Sequence, residues 1–161
     1  MKEHHMSSNS NLKDKRYTLT NEYIETERGR LYRIKALKTF EVQNRIVHEG
    51  ELGGFITSEN NLPQQDNSWV FDNAKMYNNS RLWKNACMFD ESSMYDNSHG
   101  DNSSAMFGNS SMYHHSWLLD NSRIYDNSSL QDDSKMRGNS QIFNHVVLSE
   151  NMVIVEDAYL M

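Results

Sequence analysis

The chain has 161 residues, with 37% hydrophobic and 24% charged side chains and a formal net charge of −6. This length indicates one domain, or one domain plus a small attachment, and a single cysteine excludes an internal disulfide framework. Residues 1–67 hold ten basic and ten acidic side chains, whereas residues 68–161 hold six and twelve. This acidic excess argues against direct nucleic-acid binding by the second segment.

The first sixteen residues, MKEHHMSSNSNLKDKR, are polar and lack the apolar centre of a signal peptide. We predict a disordered tail over residues 1–16. No stretch of the chain approaches the 18 apolar residues of a transmembrane helix. We therefore expect a cytoplasmic protein without membrane contact.

Residues 17–67 predict a small β-rich module. The segments YTLTNEYIET and LYRIKALKTFEV alternate apolar and polar residues, and they flank a plausible hairpin turn at Gly29. Gly53 and Gly54 supply backbone freedom where the chain changes direction. Pro63, the only proline, comes shortly before a repetitive segment. We expect this module to cap the N-terminal end of that segment.

A six-residue repeat begins at Ser68 and continues without a gap: SWVFDN, AKMYNN, SRLWKN and twelve further units precede AYLM. The first position is Ser or Ala in thirteen consecutive units, and the third is aliphatic or Met in every unit except that of Gly100. Units this short must stack into a solenoid to bury a core. Because side chains alternate along a strand, positions one and three should fill the interior. Asp and Asn at positions five and six suit sharp corners.

This pattern resembles the hexapeptide-repeat left-handed parallel β-helix, in which three hexads form one triangular coil. The resemblance implies an all-β fold with about five triangular coils over residues 68–161, about 24 Å long at about 4.8 Å per coil. The block LYRIKAL...GELGGFI..ENNL....SWVFDNA also resembles the N-terminal module of hexapeptide-repeat proteins from bacteriophages and prophages, which are often labelled transferases or polymer-forming proteins. This second resemblance implies an architecture and a phage-like origin, because the activity of that family is not established.

Stacking every third hexad predicts a column of aromatic side chains at position four on one outer face. The N-terminal module could cover this column, or the column could contact a partner or a second subunit. Both alternatives stay open. The aromatic ladder predicted to bind a partner comprises Phe71, Phe89, Phe107, Tyr125 and Phe143.

Carboxylates recur along two predicted corners of the solenoid. Such columns could imitate the phosphates of a nucleic acid and attract a basic groove on a protein partner. Alternatively, Asp is present because it forms turns and keeps a repetitive β protein soluble. The predicted acidic partner-binding residues are Asp72, Asp90, Glu91, Asp96, Asp126, Asp132 and Asp133.

The last coil, VVLSENMVIVEDAYLM, is apolar at inward and outward positions, whereas solenoids normally end in a polar cap. We expect Met152 and its inward neighbours to point into the core. The outward residues predict a homodimer, or a larger assembly, through this coil. The predicted interface residues are Val147, Val153, Val155, Tyr159 and Met161.

Catalytic signals are weak. His114 and His115 are the best general-base candidates for an acyltransferase of the hexapeptide class, but the uninterrupted repeat lacks the loop that shapes the acyl site in those enzymes. Cys87 occupies an outward position next to Phe89, and we expect it to be inert because nothing nearby would lower its pKa. We assign no catalytic residue, metal or cofactor.

The leading hypothesis is a non-enzymatic phage-type protein that sequesters or inhibits a macromolecule. The expected partner is a protein with a basic surface, such as a host-defence or nucleic-acid-handling complex, which would make the chain an anti-CRISPR-like inhibitor. The acidic corners, the aromatic face and the phage-like block motivate this hypothesis. The alternatives are a hexapeptide-repeat acyltransferase and a structural or assembly protein.

Overall fold

The computed structural model describes residues 12–161, whose regular secondary structure is almost entirely β-strand. An N-terminal module of five strands precedes a repetitive solenoid. A short 3₁₀ helix, Glu59–Asn61, connects the two. The strands of the module are β1 (Tyr17–Thr26), β2 (Gly29–Ala36), β3 (Phe40–Val42), β4 (Arg45–Val47) and β5 (Leu52–Ile56).

The solenoid consists of two-residue strands that begin every six residues. Strands that are three units apart pair in parallel, so one coil takes 18 residues. The strands are β6 (Trp69–Val70), β7 (Lys75–Met76), β8 (Arg81–Leu82), β9 (Cys87–Met88), β10 (Ser93–Met94), β11 (His99–Gly100), β12 (Ala105–Met106), β13 (Ser111–Met112), β14 (Trp117–Leu118), β15 (Arg123–Ile124), β16 (Ser129–Leu130), β17 (Lys135–Met136), β18 (Gln141–Ile142), β19 (Val147–Leu148), β20 (Val153–Ile154) and β21 (Tyr159–Leu160).

Three parallel sheets form the faces of the solenoid, which confirms the predicted all-β parallel helix. The first face is the sheet β6-β9-β12-β15-β18-β21, and the third face is the sheet β8-β11-β14-β17-β20. The second face contains β7, β10, β13, β16 and β19. It continues into the N-terminal module because β5 pairs in parallel with β7, while β2 and then β1 add in antiparallel orientation.

The solenoid has about six turns, so the predicted number of five coils is wrong by about one. The extra turn arises at β5, which forms the first rung of the second face although its sequence does not follow the repeat. Gly53 makes this close approach possible, because a Cβ there would lie 2.7 Å from the Val70 carbonyl oxygen. The last partial unit, AYLM, adds the strand β21 at the other end.

The interior follows the predicted register. Residues at the third position are buried from Val70 to Leu148, including Met94, Met112 and Ile124. Gly100 is the exception in sequence, and the tip of Leu82 comes within 2.8 Å of the place that a Cβ of Gly100 would occupy. A larger side chain from the neighbouring coil therefore fills this part of the core.

Serine at the first position is buried as well, and in most units its hydroxyl group has a specific partner; the Ser104 and Ser110 hydroxyls have none among residues 12–161. The Ser80 hydroxyl donates a hydrogen bond of 2.7 Å to the Tyr77 carbonyl oxygen, three residues earlier. The Ser92 and Ser122 hydroxyls repeat this bond to the Phe89 and Leu119 carbonyls. The bond offsets the cost of burying a hydroxyl group and ties the strand to the preceding corner.

Every corner contains a residue in the left-handed backbone conformation. The fifth position of all fifteen hexads has a positive φ, and Gly occurs there only at Gly108 and Gly138. Asp and Asn tolerate this conformation better than most residues. The frequent Asp and Asn of the repeat therefore have a conformational cause.

Arg16 anchors the start of β1 to the first coil. Its guanidinium group is buried and donates hydrogen bonds to the carbonyl oxygens of Ser68 at 2.7 Å and Pro63 at 2.6 Å. Burial lowers the pKa of Arg16 to about 10, although the nearby Asp66 carboxylate raises it. The disordered tail predicted for residues 1–16 lies outside the described residues up to residue 11. In the part of the chain that is described, no helix is long and apolar enough to span a membrane.

Candidate functional site

The aromatic ladder is continuous, but the N-terminal module covers its upper end. Phe71 and Phe89 are only 5% and 7% exposed. The hairpin of β3 and β4 lies over them and places the Arg45 guanidinium 4.8 and 4.9 Å from the two ring centroids. Cation–π contact of this kind closes that part of the face to a partner.

The lower end of the ladder is partly exposed. Phe107, Tyr125 and Phe143 stack with centroid distances of 4.9 and 4.6 Å, and the Phe143 ring continues to Tyr159 at 5.5 Å. The ring planes lie nearly parallel, so their edges face solvent. These three residues form a strip that we call the open ladder.

Cys87 lies beneath the same hairpin. Its position in the repeat is outward, as predicted, yet its side chain is fully buried. The Gln43 side-chain amide donates hydrogen bonds to the carbonyl oxygens of Asn85 and Ser104 on either side of it. Burial raises the pKa of the Cys87 thiol to about 12, so the group stays protonated at neutral pH.

Aspartates at the fifth position connect successive coils along the corners. On the first corner, which follows the first face, Asp72 Oδ2 accepts the Asp90 backbone N–H at 2.9 Å, and Asp90 Oδ2 accepts that of Gly108 at 2.8 Å. Asp126 Oδ2 accepts the Asn144 N–H at 2.9 Å. The carboxylates thus satisfy backbone donors that would otherwise be exposed only to water, while their second oxygens remain available.

Asp72, Asp90 and Asp126 are exposed, and each directly follows an aromatic residue of the ladder in the chain. Glu91 completes the first corner and pairs with Lys75 at 3.1 Å. The hydrogen bond from Lys75 lowers the pKa of Glu91. The first corner therefore forms an acidic rim along the aromatic ladder, and Asp126 is its member directly beside the open ladder.

The second corner, which follows the second face, is partly occupied by the N-terminal module. The Arg28 guanidinium at the β1–β2 turn contacts Asp96 at 2.8 Å and lies 4.5 Å from the Tyr95 ring centroid. Tyr95 stacks between Tyr77 and Tyr113 at 4.5 and 4.6 Å. Asp96 therefore already has an ion-pair partner within the chain, unlike the acidic residues that remain free to contact another protein.

Further along this corner, the structure brings His114 together with a carboxylate. His114 Nδ1 lies 3.0 Å from Asp132 Oδ1 and 3.2 Å from the Asp132 backbone nitrogen. A single ring nitrogen cannot donate to the first atom and accept from the second at once, so the tautomer of the ring selects the contact. His115 and Asp133 line the same shallow, open depression.

The third face carries an aromatic cluster that the sequence analysis did not single out. The His99 ring stacks on Trp117 at 4.3 Å and lies 4.9 Å from Trp83. Burial, and then the charge of Arg81, lower the pKa of His99, so the ring is neutral at pH 7. His99 and Trp117 share the second position of consecutive coils, but Trp83 occupies the fourth, so no continuous aromatic column was visible in the sequence.

Basic residues collect on the third face. Four of the six basic side chains of residues 68–161 belong to its hexads. Arg81, Lys135 and Arg137 are exposed, and their side chains have no hydrogen bond or ion pair to another residue within 12–161. Lys84, at its corner, approaches Asp101 at 3.8 Å.

The last coil exposes apolar side chains on all three faces. Val147 lies on the second face, Val153 and Val155 on the third, and Tyr159 and Met161 on the first, each 47% exposed or more. Met152, which we expected to point into the core, is also 47% exposed. The reason is that no further coil of residues 12–161 packs on it.

Comparison with known protein families gives no matching family model for this chain. Comparison with curated proteins gives no match either. Among residues 12–161, no three His, Cys, Asp or Glu side chains are grouped so that they could hold a metal ion.

Proposed function

We propose that the chain is a non-enzymatic, phage-type binding protein that acts as a homodimer and sequesters or inhibits a macromolecular partner. The observation that carries this proposal is the open ladder of Phe107, Tyr125 and Phe143 with Asp126 directly beside it. The other carboxylates of the first corner, Asp72, Asp90 and Glu91, continue the same edge along the covered part of the ladder. A protein with an apolar patch and a basic rim is complementary to this surface. The rigid backbone of the stacked coils presents it without a large ordering cost.

Proteins that hold nucleic acids carry basic grooves, so a nucleic-acid-handling complex is the partner class that best fits the acidic rim. A host-defence complex such as a CRISPR effector belongs to this class, and binding to it would make the chain an anti-CRISPR-like inhibitor in the host cytoplasm. The resemblance of the sequence to hexapeptide-repeat, left-handed β-helix proteins of phages supports this assignment.

The negative charges of the first corner can be removed without removing the hydrogen-bond acceptors that stabilise the fold. An Asn side-chain oxygen can accept the same backbone N–H as an Asp, and Asn144 already occupies the fifth position of this corner. The variant D72N/E91Q/D90N/D126N should therefore unfold near the wild-type midpoint and lose the partner in a pull-down from bacterial lysate at low salt. The control D120N, on another corner, should retain the partner.

Equal capture by the quadruple variant would contradict the role of the acidic rim. A wild-type pull-down that recovers no nucleic-acid-handling protein would contradict the partner class.

An acyltransferase is the second candidate, and the 3.0 Å contact between His114 Nδ1 and Asp132 Oδ1 favours it. A histidine oriented by a carboxylate is a common general-base arrangement. This candidate requires acetyl-coenzyme A to bind near His114 in calorimetry, with binding weakened in His114→Gln. Absence of heat at millimolar ligand would dismiss it.

A structural or assembly role is the third candidate. The apolar side chains around the last coil favour it, because exposed apolar surface on a solenoid end promotes association. It requires assemblies larger than a dimer in light scattering.

A further inference from the structure

The third face has a self-complementary pattern along its five rungs. Each rung presents two outward side chains, one from the second and one from the fourth position of the hexad. In order along the solenoid, the pairs are Arg81 and Trp83, His99 and Asp101, Trp117 and Leu119, Lys135 and Arg137, and Val153 and Val155.

We infer that two copies of the chain pair face to face through their third faces, with the two solenoids antiparallel. The two-fold axis lies in the interface and runs along the strands of the middle rung, β14. Such an axis leaves the strand direction unchanged and reverses the order of the rungs. Position two then meets position two, position four meets position four, and the first rung meets the fifth.

Four of the six distinct contacts made in this way join compatible side chains. The other two, Arg81 with Val153 and His99 with Lys135, form neither an ion pair nor an apolar pair. Trp83 meets Val155 of the second copy, which covers two partly exposed apolar groups. Asp101 meets Arg137, and the two-fold axis repeats this ion pair. Trp117 and Leu119, on the middle rung, meet their own equivalents, as expected for an isologous interface.

Charge decides the orientation of the two copies. If the solenoids were parallel, every rung would face its own equivalent and position two would meet position four. Lys135 would then lie against Arg137 twice per dimer, which is repulsive. The antiparallel arrangement removes this clash and gives the unpaired Arg137 a carboxylate partner. Within residues 12–161, Asp101 uses Oδ1 for the Asn102 N–H and the Lys84 ammonium, so no hydrogen bond to Oδ2 is lost.

The extent of the face indicates a weak dimer. Ten outward side chains per copy are fewer than the roughly 20–30 residues per side of a stable interface. We therefore expect dissociation in about the micromolar range. The inference rests on the homodimer that the proposed function includes. Of the apolar residues of the last coil, it places Val153 and Val155 in the dimer interface and leaves the others outside it.

Sedimentation velocity over a concentration series tests the inference. Val155→Asp on the third face and Val147→Asp on the second face form a matched pair, since the two valines are 47% and 52% exposed in the same coil. Val155→Asp and Arg137→Asp should each weaken the dimer by at least about tenfold, while Val147→Asp leaves it unchanged. The double variant D101R/R137D should restore dimerisation, because the charges are exchanged across the two-fold axis. Circular dichroism and the unfolding midpoint of each variant establish that it folds.

A wild-type protein that is monomeric at all concentrations would overturn the inference together with the proposed self-association. A dimer that resists Val155→Asp, or that Val147→Asp disrupts equally, would overturn the third-face interface alone. Partner capture by the quadruple first-corner variant is a separate measurement, so its failure is distinguishable from both.

Discussion

Asp120 offers a way to separate the two physical roles of an aspartate at the fifth position. Its φ is +57°, in the left-handed region. Its Oδ2 accepts the Gly138 backbone N–H at 2.9 Å, and its Oδ1 accepts the Asn102 side-chain amide at 3.2 Å. It lies outside the proposed partner surface, so its substitution reports on stability alone.

The substitutions Asp120→Ala, Asp120→Gly and Asp120→Asn should destabilise the protein in decreasing order. Ala loses a hydrogen bond to a charged acceptor, about 1.5 kcal/mol at a half-buried site, and it places a Cβ in the left-handed region, about 1–2 kcal/mol. We therefore expect a decrease of about 3 kcal/mol in the free energy of unfolding for Ala. Gly avoids the backbone cost and should lose about 2 kcal/mol, and Asn, which keeps the acceptor, less than about 1 kcal/mol.

Urea unfolding monitored by tryptophan fluorescence measures these differences as shifts in the midpoint at constant slope. If Ala and Asn destabilise equally, the carboxylate bond to the next coil contributes nothing. If Gly is as harmful as Ala, the left-handed conformation is not the second cause.

Four further predictions concern other parts of the molecule. Met112→Ala, at a fully buried site, should reduce the free energy of unfolding by about 2–5 kcal/mol in the same assay, and a loss below 1 kcal/mol would place this side chain outside the core. Arg16→Ala leaves the buried Ser68 carbonyl oxygen and the partly buried Pro63 carbonyl oxygen without donors and should cost about 3 kcal/mol. An unchanged midpoint would show that Arg16 does not anchor β1. Burial raises the pKa of Asp96, but the hydrogen bond from the His114 N–H and the contact with Arg28 outweigh burial, so the net pKa is lowered. The stabilising contribution of Asp96 should therefore be complete above about pH 4 and lost as the pH falls through the folded pKa. Arg28→Gln should reduce this acid dependence, and an identical pH profile would contradict the assignment. The Cys87 thiol, with a pKa raised to about 12 by burial, should react with iodoacetamide only in urea, and rapid labelling of the folded protein would show that the β3–β4 hairpin does not cover it.

The six-residue register was predictable because it depends on local alternation along the chain. Residues at positions one and three carry small or aliphatic side chains in nearly every unit, and these are the side chains that the structure buries. Met152 departs from the rule because burial requires a neighbouring coil as well as the correct position.

The sixth turn could not be predicted from the repeat. The strand β5 contains Gly53 and Gly54 where a hexad would carry larger residues, and its place in the solenoid depends on pairing with β7, about twenty residues later. Only glycine fits at positions 53 and 54, because the Val70 and Ala74 backbone oxygens lie so close. From the sequence, these glycines indicated only a flexible backbone where the chain changes direction.

The sequence predicted which surface residues form columns, but not which neighbouring side chains cover or contact them. The aromatic ladder was visible in the spacing, whereas the cover over Phe71 and Phe89 depends on Arg45, a residue more than twenty positions away in the chain. The bond from Asp90 to Gly108 spans one whole coil, so local turn chemistry gives no sign of it. The cluster joins His99 and Trp117, at the second position of two coils, to Trp83 at the fourth position, and it therefore left no long periodic signal.

Residue-resolved amide hydrogen exchange is the sharpest test of whether the corners are rigid edges that can present a fixed pattern of charge. On the first corner, the backbone N–H groups of Asp90 and Gly108 each donate to the aspartate of the previous coil. Neighbouring sixth-position N–H groups, such as that of Asn73, donate to a backbone carbonyl oxygen of the next coil. We predict that these exposed corner amides exchange nearly as slowly as the buried strand amides beside them. Fast exchange at the corners next to protected strands would contradict the structure, because it would mean short strands joined by mobile loops.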